Sequence, residues 1–238
     1  QLNTITDGEA DTINAQGELA VESVSGSAIT VDGSLSVTGG SGDTISASAS
    51  SLLSGVDAST ISVSVPGTLQ FLDGSNGIVD TVTGGNATIF GTAGLDLRAN
   101  TSGSTTYYAS SGNETLDGGL STGKLYAAAG SGNDTLIGGS GQDTLQAGMG
   151  DDLLSGGNGT TEFDFINGKA GGHDLIQDFG KSAANIVNLS GYDATPATIQ
   201  SMLDNATIAG GNTTVSLGDS TSITFVGVTD LKVQNFKS

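Results

Sequence analysis

Asp134, Asp143 and Asp152 recur every nine residues, each preceded by glycines four and two places earlier. A carboxylate carried on a glycine turn puts a hard, charged oxygen beside open backbone carbonyls, the donor chemistry that Ca2+ prefers. Glycine permits the positive φ that so tight a turn needs. Two places after each aspartate stands a large apolar residue, Leu136, Leu145 or Leu154, and the same step reaches Phe163. The unit runs four times from Ala129 to Asp164, and in the fourth copy Thr161 stands where the aspartate would fall. The residues around each apolar position predict a short strand with one side chain pointing inward, so Leu136, Leu145, Leu154 and Phe163 would form a narrow core between two small sheets.

These units resemble the RTX nonapeptide, Gly-Gly-x-Gly-x-Asp-x-U-x, where U is a large apolar residue. The resemblance implies a calcium-binding parallel β-roll in which each repeat makes half a coil and alternate repeats stack. Asp134 would then neighbour Asp152, and Asp143 would face Thr161, where calcium is weaker or the turn is closed differently. It also implies backbone ligands, chiefly the carbonyls of Gly130, Gly132, Gly139, Gly141, Gly148 and Gly150.

Flanking segments carry fragments of the same pattern. Ser111-Gly112-Asn113-Glu114-Thr115-Leu116 keeps it with Glu for Asp, which predicts a partial calcium site at Glu114; Leu125 follows Leu116 by nine, and two extra residues then precede the array. Gly39-Gly40-Ser41-Gly42-Asp43-Thr44-Ile45 is one residue short, and Gly91 to Arg98 is a degenerate copy with Arg98 at the core position. After the array, Gly171-Gly172-His173-Asp174-Leu175-Ile176-Gln177-Asp178-Phe179 and Asn185 to Gly191 resemble the segment that closes RTX arrays in type I secreted proteins. Asp174 and Asp178 are ligand candidates there. The family commonly has acids where Asn185 and Asn188 stand, a departure that puts an additional calcium at that point in doubt.

Composition narrows the function classes. With 25 acids against 6 scattered bases the net charge is −19, which opposes nucleic-acid binding and, without cations, opposes compaction. Only 35% of the 238 residues are hydrophobic and aromatics are 5%, too little for a thick globular core but enough for a thin solenoid. There is no cysteine and hence no disulfide framework. No stretch reaches the apolar length of a membrane span, and the opening Gln1-Leu2-Asn3-Thr4, with neither a secretory signal nor an initiator Met, reads as part of a longer chain.

The elements that must position these residues follow from periodicity. Ile5, Ile13, Val21, Ile29, Val37, Ile45, Leu53, Ile61 and Leu69 lie eight apart, and local alternation such as Ile61-Ser62-Val63-Ser64-Val65 suits short strands. This predicts a β-solenoid in the first region, with a β-sandwich as the alternative. Near the other end, Thr195 as N-cap, Pro196 at the first helical position and Ile199, Met202, Leu203 and Ala206 at helical spacing predict one helix. Gly210-Gly211-Asn212 would break it, and Thr213 to Leu217 with Ser222 to Val228 would form a hairpin. Helix and hairpin together would cap the open end of the roll. The last segment, through Val226-Gly227-Val228 to Phe236, also resembles the C-terminal region of type I secretion substrates.

Other motifs have weaker chemistry. Gly118 to Leu125 nearly spells a phosphate-binding loop, but Leu125 replaces the required Ser or Thr; within it, Gly119 to Gly123 matches Gly-x-Ser-x-Gly without a strand-turn-helix or a base. His173 is the only histidine, and with no cysteine it cannot build a zinc site, so it reads as a solvent-facing turn residue. Asp151/Asp152 and Glu162/Asp164 could imitate a glycosidase dyad, but their repeat positions explain them as turn and strand residues. Tyr107, Tyr108, Tyr126 and Tyr192 are the aromatics suited to a sugar platform, and of the adjacent pair 107/108 one should face in and the other out.

The reading is an all-β chain: a calcium-poor β-solenoid over 1–85, an RTX-like calcium-binding β-roll over 86–191, and a C-terminal cap and possible secretion region over 192–238. It predicts a noncatalytic module of a secreted or cell-surface bacterial protein, folded by calcium after export through a type I secretion apparatus. The alternatives are an S-layer or adhesin segment that self-associates or meets a cell-surface polysaccharide, and an accessory module of a secreted protease, lipase or alginate epimerase.

Overall fold

The computed structural model describes residues 3–49, 51–54, 60–63, 67–71 and 80–238. Within them, successive strands alternate between two sheets, one of 12 strands and one of 13, from Asn3–Glu9 through Ile186–Ser190. Each strand pairs in parallel with the next but one along the chain, which makes a two-sheeted β-solenoid rather than a sandwich. The sheets run without a break across residue 85, where Asp80–Gly84 pairs with Thr60–Val63 on one side and with Asp96–Thr101 on the other. Ser64 and Val65 of the sequence pattern lie outside the described residues.

The apolar rhythm is the register. Ile5, Val21, Val37 and Leu53 stack in one sheet, and Ile13, Ile29, Ile45 and Ile61 in the other. Leu69 departs from it, pairing with Ser51 while Leu53 pairs with Phe71. A two-residue shift is a whole period of a strand, so the sheet absorbs the longer coil without a break in its pairing. In the array the step between stacked coils is that of two nonapeptides, with Leu136 on Leu154 and Leu145 on Phe163.

Three sequence expectations change in detail. The three-residue strands Thr135–Ile137 and Leu153–Ser155 bury one side chain each, but Gln142–Gln146 buries Asp143 and Leu145, and Thr160–Ile166 buries Thr161, Phe163 and Phe165. Longer strands carry the alternation further, so one inward residue per strand does not hold for them. Arg98 is not at a core position: it points outward to Asp117, 3.6 Å away, while Leu97 and Ala99 on either side are buried. The degenerate repeat is one residue shorter than it looked, and strand alternation places Leu97 over Leu116. Leu125 is buried but stacks between Thr105 and the Asp143 position, so Ala127, stacked on Leu145, takes the core place. The two-residue insertion therefore falls before this strand, not after it. Ala127 also gives room to the large buried ring of Tyr107 stacked on its other side.

The cap forms as its sequence signals require. Helix Pro196–Asp204 starts with Thr195, whose hydroxyl accepts the Thr198 N–H at 3.2 Å, and Ile199 is buried while Met202, Leu203 and Ala206 pack against the core. Asn212–Ser216 and Ser222–Phe225 form the expected hairpin, and a further strand, Thr207–Ala209, pairs with the first of them. Gly210 and Gly211, at φ +59° and +83°, supply the two-residue turn between those strands instead of simply ending the helix. Ser222–Phe225 adds to His173–Ile176 in one sheet, and Phe236–Lys237 adds to Ile186–Ser190 in the other.

A chain of ring contacts, Phe163 to Phe179 (6.0 Å), Phe179 to Phe225 (5.1 Å) and Phe225 to Phe236 (6.0 Å), joins the last coils to the cap. These four rings pack against one another at the end of a molecule whose array strands Thr135–Ile137 and Leu153–Ser155 bury one side chain each. Phe225→Ala should therefore cost about 3–5 kcal/mol, the range for a buried aromatic truncated to Ala. Urea denaturation in saturating calcium measures it, and a loss below about 1 kcal/mol would mean that the ring chain does not hold the cap.

Candidate metal-binding turns

Stacked coils put equivalent turn residues of successive coils next to one another. On one edge of the roll the stacked positions are Glu114, Asp134, Asp152 and Asp174, all buried. Their link is a ladder: the Glu114 N–H donates to Asp134 (2.8 Å), the Asp134 N–H to Asp152 (2.9 Å) and the Asp152 N–H to Asp174 (2.9 Å). The expected Asp134–Asp152 neighbours are thus joined through a backbone amide. On the other edge Asp143 accepts the Leu125 N–H at 3.0 Å and stands in register with Thr161.

Each array aspartate also closes its own turn. Asp134 accepts the Gly130 N–H (3.2 Å), Asp143 the Gly139 N–H (2.7 Å) and Asp152 the Gly148 N–H (2.9 Å), always four residues back. At Asp174 this contact is missing, because Ala170, four residues back, donates its N–H to the Ile166 carbonyl. The Asp174 Oδ2 is left fully buried with no hydrogen-bond donor. Desolvation by burial, with Asp152 and Asp151 adding repulsion, pushes the Asp174 carboxyl up to about 8; desolvation, with repulsion from Asp152 and Glu114, raises Asp134 to about 6. Burial also raises Asp143, Asp152 and Asp43. A buried carboxylate in this state favours a proton or a bound cation.

Only some of the turn glycines are used for φ. Gly132 and Gly150 have φ of +133° and +127°; Gly130, Gly139, Gly141 and Gly148 do not take positive φ. What all six share is close approach: a Cβ on any of them would run into a carbonyl of the preceding coil, as at Gly148 against Gly130 and Gly150 against Gly132. The carbonyls of Gly130, Gly141 and Gly148 each accept one N–H from the next coil, which leaves a second lone pair for a cation, whereas the Gly139 carbonyl accepts two, from Asn158 and Gly159.

The flanking candidates are differently engaged. Glu114 binds the Tyr107 hydroxyl (2.7 Å), the Ser110 N–H (2.8 Å) and the Ser110 hydroxyl. Asp178 accepts from the Ser155 hydroxyl (2.9 Å) and from the Gly156 and Gly157 N–H groups (2.6 and 2.9 Å). Asn185, which sequence reasoning had set aside, takes over the ladder beyond Thr161: its side-chain oxygen accepts the Thr161 N–H at 2.9 Å and its amide donates to the Phe179 carbonyl at 3.0 Å. Outside the array, Asp43 accepts the Ser27 N–H at 2.9 Å, and the Asp11 N–H donates to the Ser27 hydroxyl at 3.1 Å.

Other candidate chemistry disperses. Ser121 is buried and donates to the Ala99 carbonyl at 3.0 Å, and Leu125–Ala128 after it is a strand, not a helix. His173 is exposed at the start of its strand, with its ring 3.4 Å from Asp151. Tyr107 faces in and Tyr108 out. Tyr108 lies between Phe90 (5.4 Å, near-parallel) and Tyr126 (5.9 Å, edge-on), and Tyr192 bonds Asp219.

Among the described residues no three His, Asp or Glu side chains converge on one point. A cation here would draw on one or two carboxylates and complete its shell with turn carbonyls, an all-oxygen set that suits calcium and not zinc. Among the described residues no helix is long and apolar enough to cross a membrane. Residues 129–163 match the RTX calcium-binding nonapeptide repeat in four copies, and this segment is an RTX repeat array. No curated protein matches the chain.

Two outcomes follow from this geometry. In chelator, Asp134 and Asp174 stabilise the fold when protonated, fully so below the ordinary carboxylate range, and lose that contribution as pH rises through about 6 and about 8. The metal-free protein should accordingly be more stable to urea at pH 5 than at pH 8, whereas calcium, which needs ionised ligands, should reverse the order. Identical pH profiles with and without calcium would contradict this. Separately, Asp152→Ala leaves the Asp134 and Gly148 amides without their acceptor and removes a carboxylate from inside the array, while Asp43→Ala frees the Ser27 amide in an isolated turn. Calorimetric titration should show clearly weaker calcium binding for the first and little change for the second; equal losses would separate affinity from array register.

Proposed function

We propose that this chain is a calcium-dependent folding and structural module of a secreted or cell-surface bacterial protein, exported through a type I secretion apparatus and not itself catalytic. The observation that carries the reading is the column of buried carboxylates ending at Asp174, whose second oxygen has no donor. Calcium, when bound, supplies the positive charge that lets adjacent turns hold ionised aspartates out of water. The chain supplies the rest. Glycines bring the turns into contact, amides of the preceding coil orient each carboxylate, and leucines and Phe163 close the core beneath.

Where free calcium is low, as in a cytosol, a chain of net charge −19 repels itself and the buried aspartates oppose folding. Where calcium is abundant, binding free energy becomes folding free energy. Folding outside the cell would then favour export over return.

A second reading, a structural segment of a surface layer or adhesin, is favoured by the continuity of both sheets from the first strands into the array. An accessory role beside a protease, lipase or epimerase domain is the remaining alternative. Calcium-dependent ordered self-assembly would distinguish the surface-layer reading.

Circular dichroism in EGTA and in millimolar calcium tests the folding role. Calcium should raise the β signal of residues 129–191 cooperatively. The same cooperative fold in EGTA would defeat the proposal.

A further inference from the structure

The turn that precedes the array repeats its sequence almost residue for residue. Ala109-Ser110-Ser111-Gly112-Asn113-Glu114-Thr115-Leu116 stands beside Ala129-Gly130-Ser131-Gly132-Asn133-Asp134-Thr135-Leu136, with changes only at Gly to Ser and Asp to Glu. The backbones are in register: Ser111 bridges Ser131, Thr115 pairs with Thr135, and Asn113 accepts the Asn133 N–H at 2.9 Å. The two changed residues meet in space. The Ser110 N–H and hydroxyl both bond the Glu114 carboxylate, the N–H as Gly130 does for Asp134 but with the added hydroxyl.

A third residue completes the arrangement from the opposite sheet. Tyr107, fully buried, donates its hydroxyl to Glu114 Oε2 at 2.7 Å, a reach that the extra methylene of Glu provides. Burial, with the Glu114 charge, keeps that hydroxyl protonated and therefore a donor. Gly91 makes room, since a Cβ there would run into both the carboxylate and the tyrosine hydroxyl. At Asp174 a buried carboxylate oxygen lacks a donor; at Glu114 three donors on neighbouring residues satisfy the carboxylate.

We propose that Glu114, Ser110 and Tyr107 close this turn in place of calcium, so that the coil before the array is ordered without metal and gives the metal-bound coils an edge to assemble on. The inference rests on the calcium reading of the array. Glu114 is here a positioning residue that decides where the row of ions stops. Its carboxylate oxygens already accept from three donors, and an ion would have to displace them.

Calcium stoichiometry and hydrogen exchange on the full chain test it. Restoring the repeat with Ser110→Gly and Glu114→Asp should add one calcium to the wild-type number, the saturated dichroism spectrum confirming that the variant folds. In EGTA, wild-type amides of Thr105–Tyr108 and Thr115–Asp117 should exchange more slowly than those of Thr135–Ile137 and Leu153–Ser155. Tyr107→Phe should erase about tenfold of that protection, as loss of a hydrogen bond to a buried carboxylate implies, with the calcium number unchanged. An unchanged stoichiometry in the restored variant, or one ion fewer in Glu114→Gln, would overturn the proposal. If wild type binds no calcium, the reading of the array fails instead; exchange in EGTA still decides this inference, since protection indifferent to Tyr107 and Glu114 would overturn it.

Discussion

Neighbouring strands of a sheet lie about 4.8 Å apart, and in a solenoid that spacing is imposed on the turns as well as on the strands. Whatever stands at a turn position meets its counterpart in the next coil at nearly the same distance. For leucine this is an advantage, and for aspartate it is the central problem of the molecule. The structure answers it by giving each carboxylate the amide of the coil before it, so that Asp134, Asp152 and Asp174 are bridged by N–H groups instead of facing one another directly. The amides orient the charges but do not neutralise them. That is why a row of buried acids in a chain with so few bases requires either protons or a cation.

The same spacing explains the glycines and the thinness of the core. Turns in van der Waals contact leave no room for a Cβ against the carbonyl of the preceding coil, as at Gly130 over Ser110. Strands of three residues bury one leucine each, too little to hold a coil by apolar contact alone. Where the core must widen, neighbours compensate: the ring of Tyr107 stacks on Ala127, and the array ends on Phe163, Phe179, Phe225 and Phe236 packed ring against ring. The cap thus supplies the apolar burial that the coils lack, and its two added strands occupy sheet edges that would otherwise be unpaired.

Much of this was legible because period and register are the same quantity in a solenoid. The nine-residue step, taken with the half-coil repeat that the RTX resemblance implies, placed Asp134 beside Asp152, and the structure extends the same rule to Leu145 over Phe163 and Val21 over Val37. Sequence reading failed where a coil changes length. Arg98 and Leu125 were assigned by counting from a neighbour: Arg98 missed the core by one residue because its repeat is one residue short, and Leu125 missed it by two, a shift that keeps face parity and so gives alternation no warning. Thr207–Ala209 was hidden by the Gly-Gly pair, which reads equally as a helix stop or as a hairpin turn. The setting of Glu114 was not legible either, since Tyr107 reaches it across the interior from the other sheet and no local pattern links them.

Along the chain the device that closes the turns changes while the backbone does not. Ser27 and Asp43 accept amides in the first coils, Glu114 gathers side-chain donors before the array, aspartates in glycine turns follow, and Asn185 and Asp178 finish with neutral and backbone partners. Among the described residues, the middle stretch is where Asp134, Asp152 and Asp174 follow one another in consecutive coils with backbone amides as their donors. A cation bound there acts between two ends that have their own means of order, the Glu114 network on one side and the aromatic cap on the other. Binding at any one turn then fixes the register of its neighbours, because each ladder amide belongs to the coil before the carboxylate that accepts it. Cooperativity in such a stretch is a consequence of stacking and requires no contact between the ions themselves.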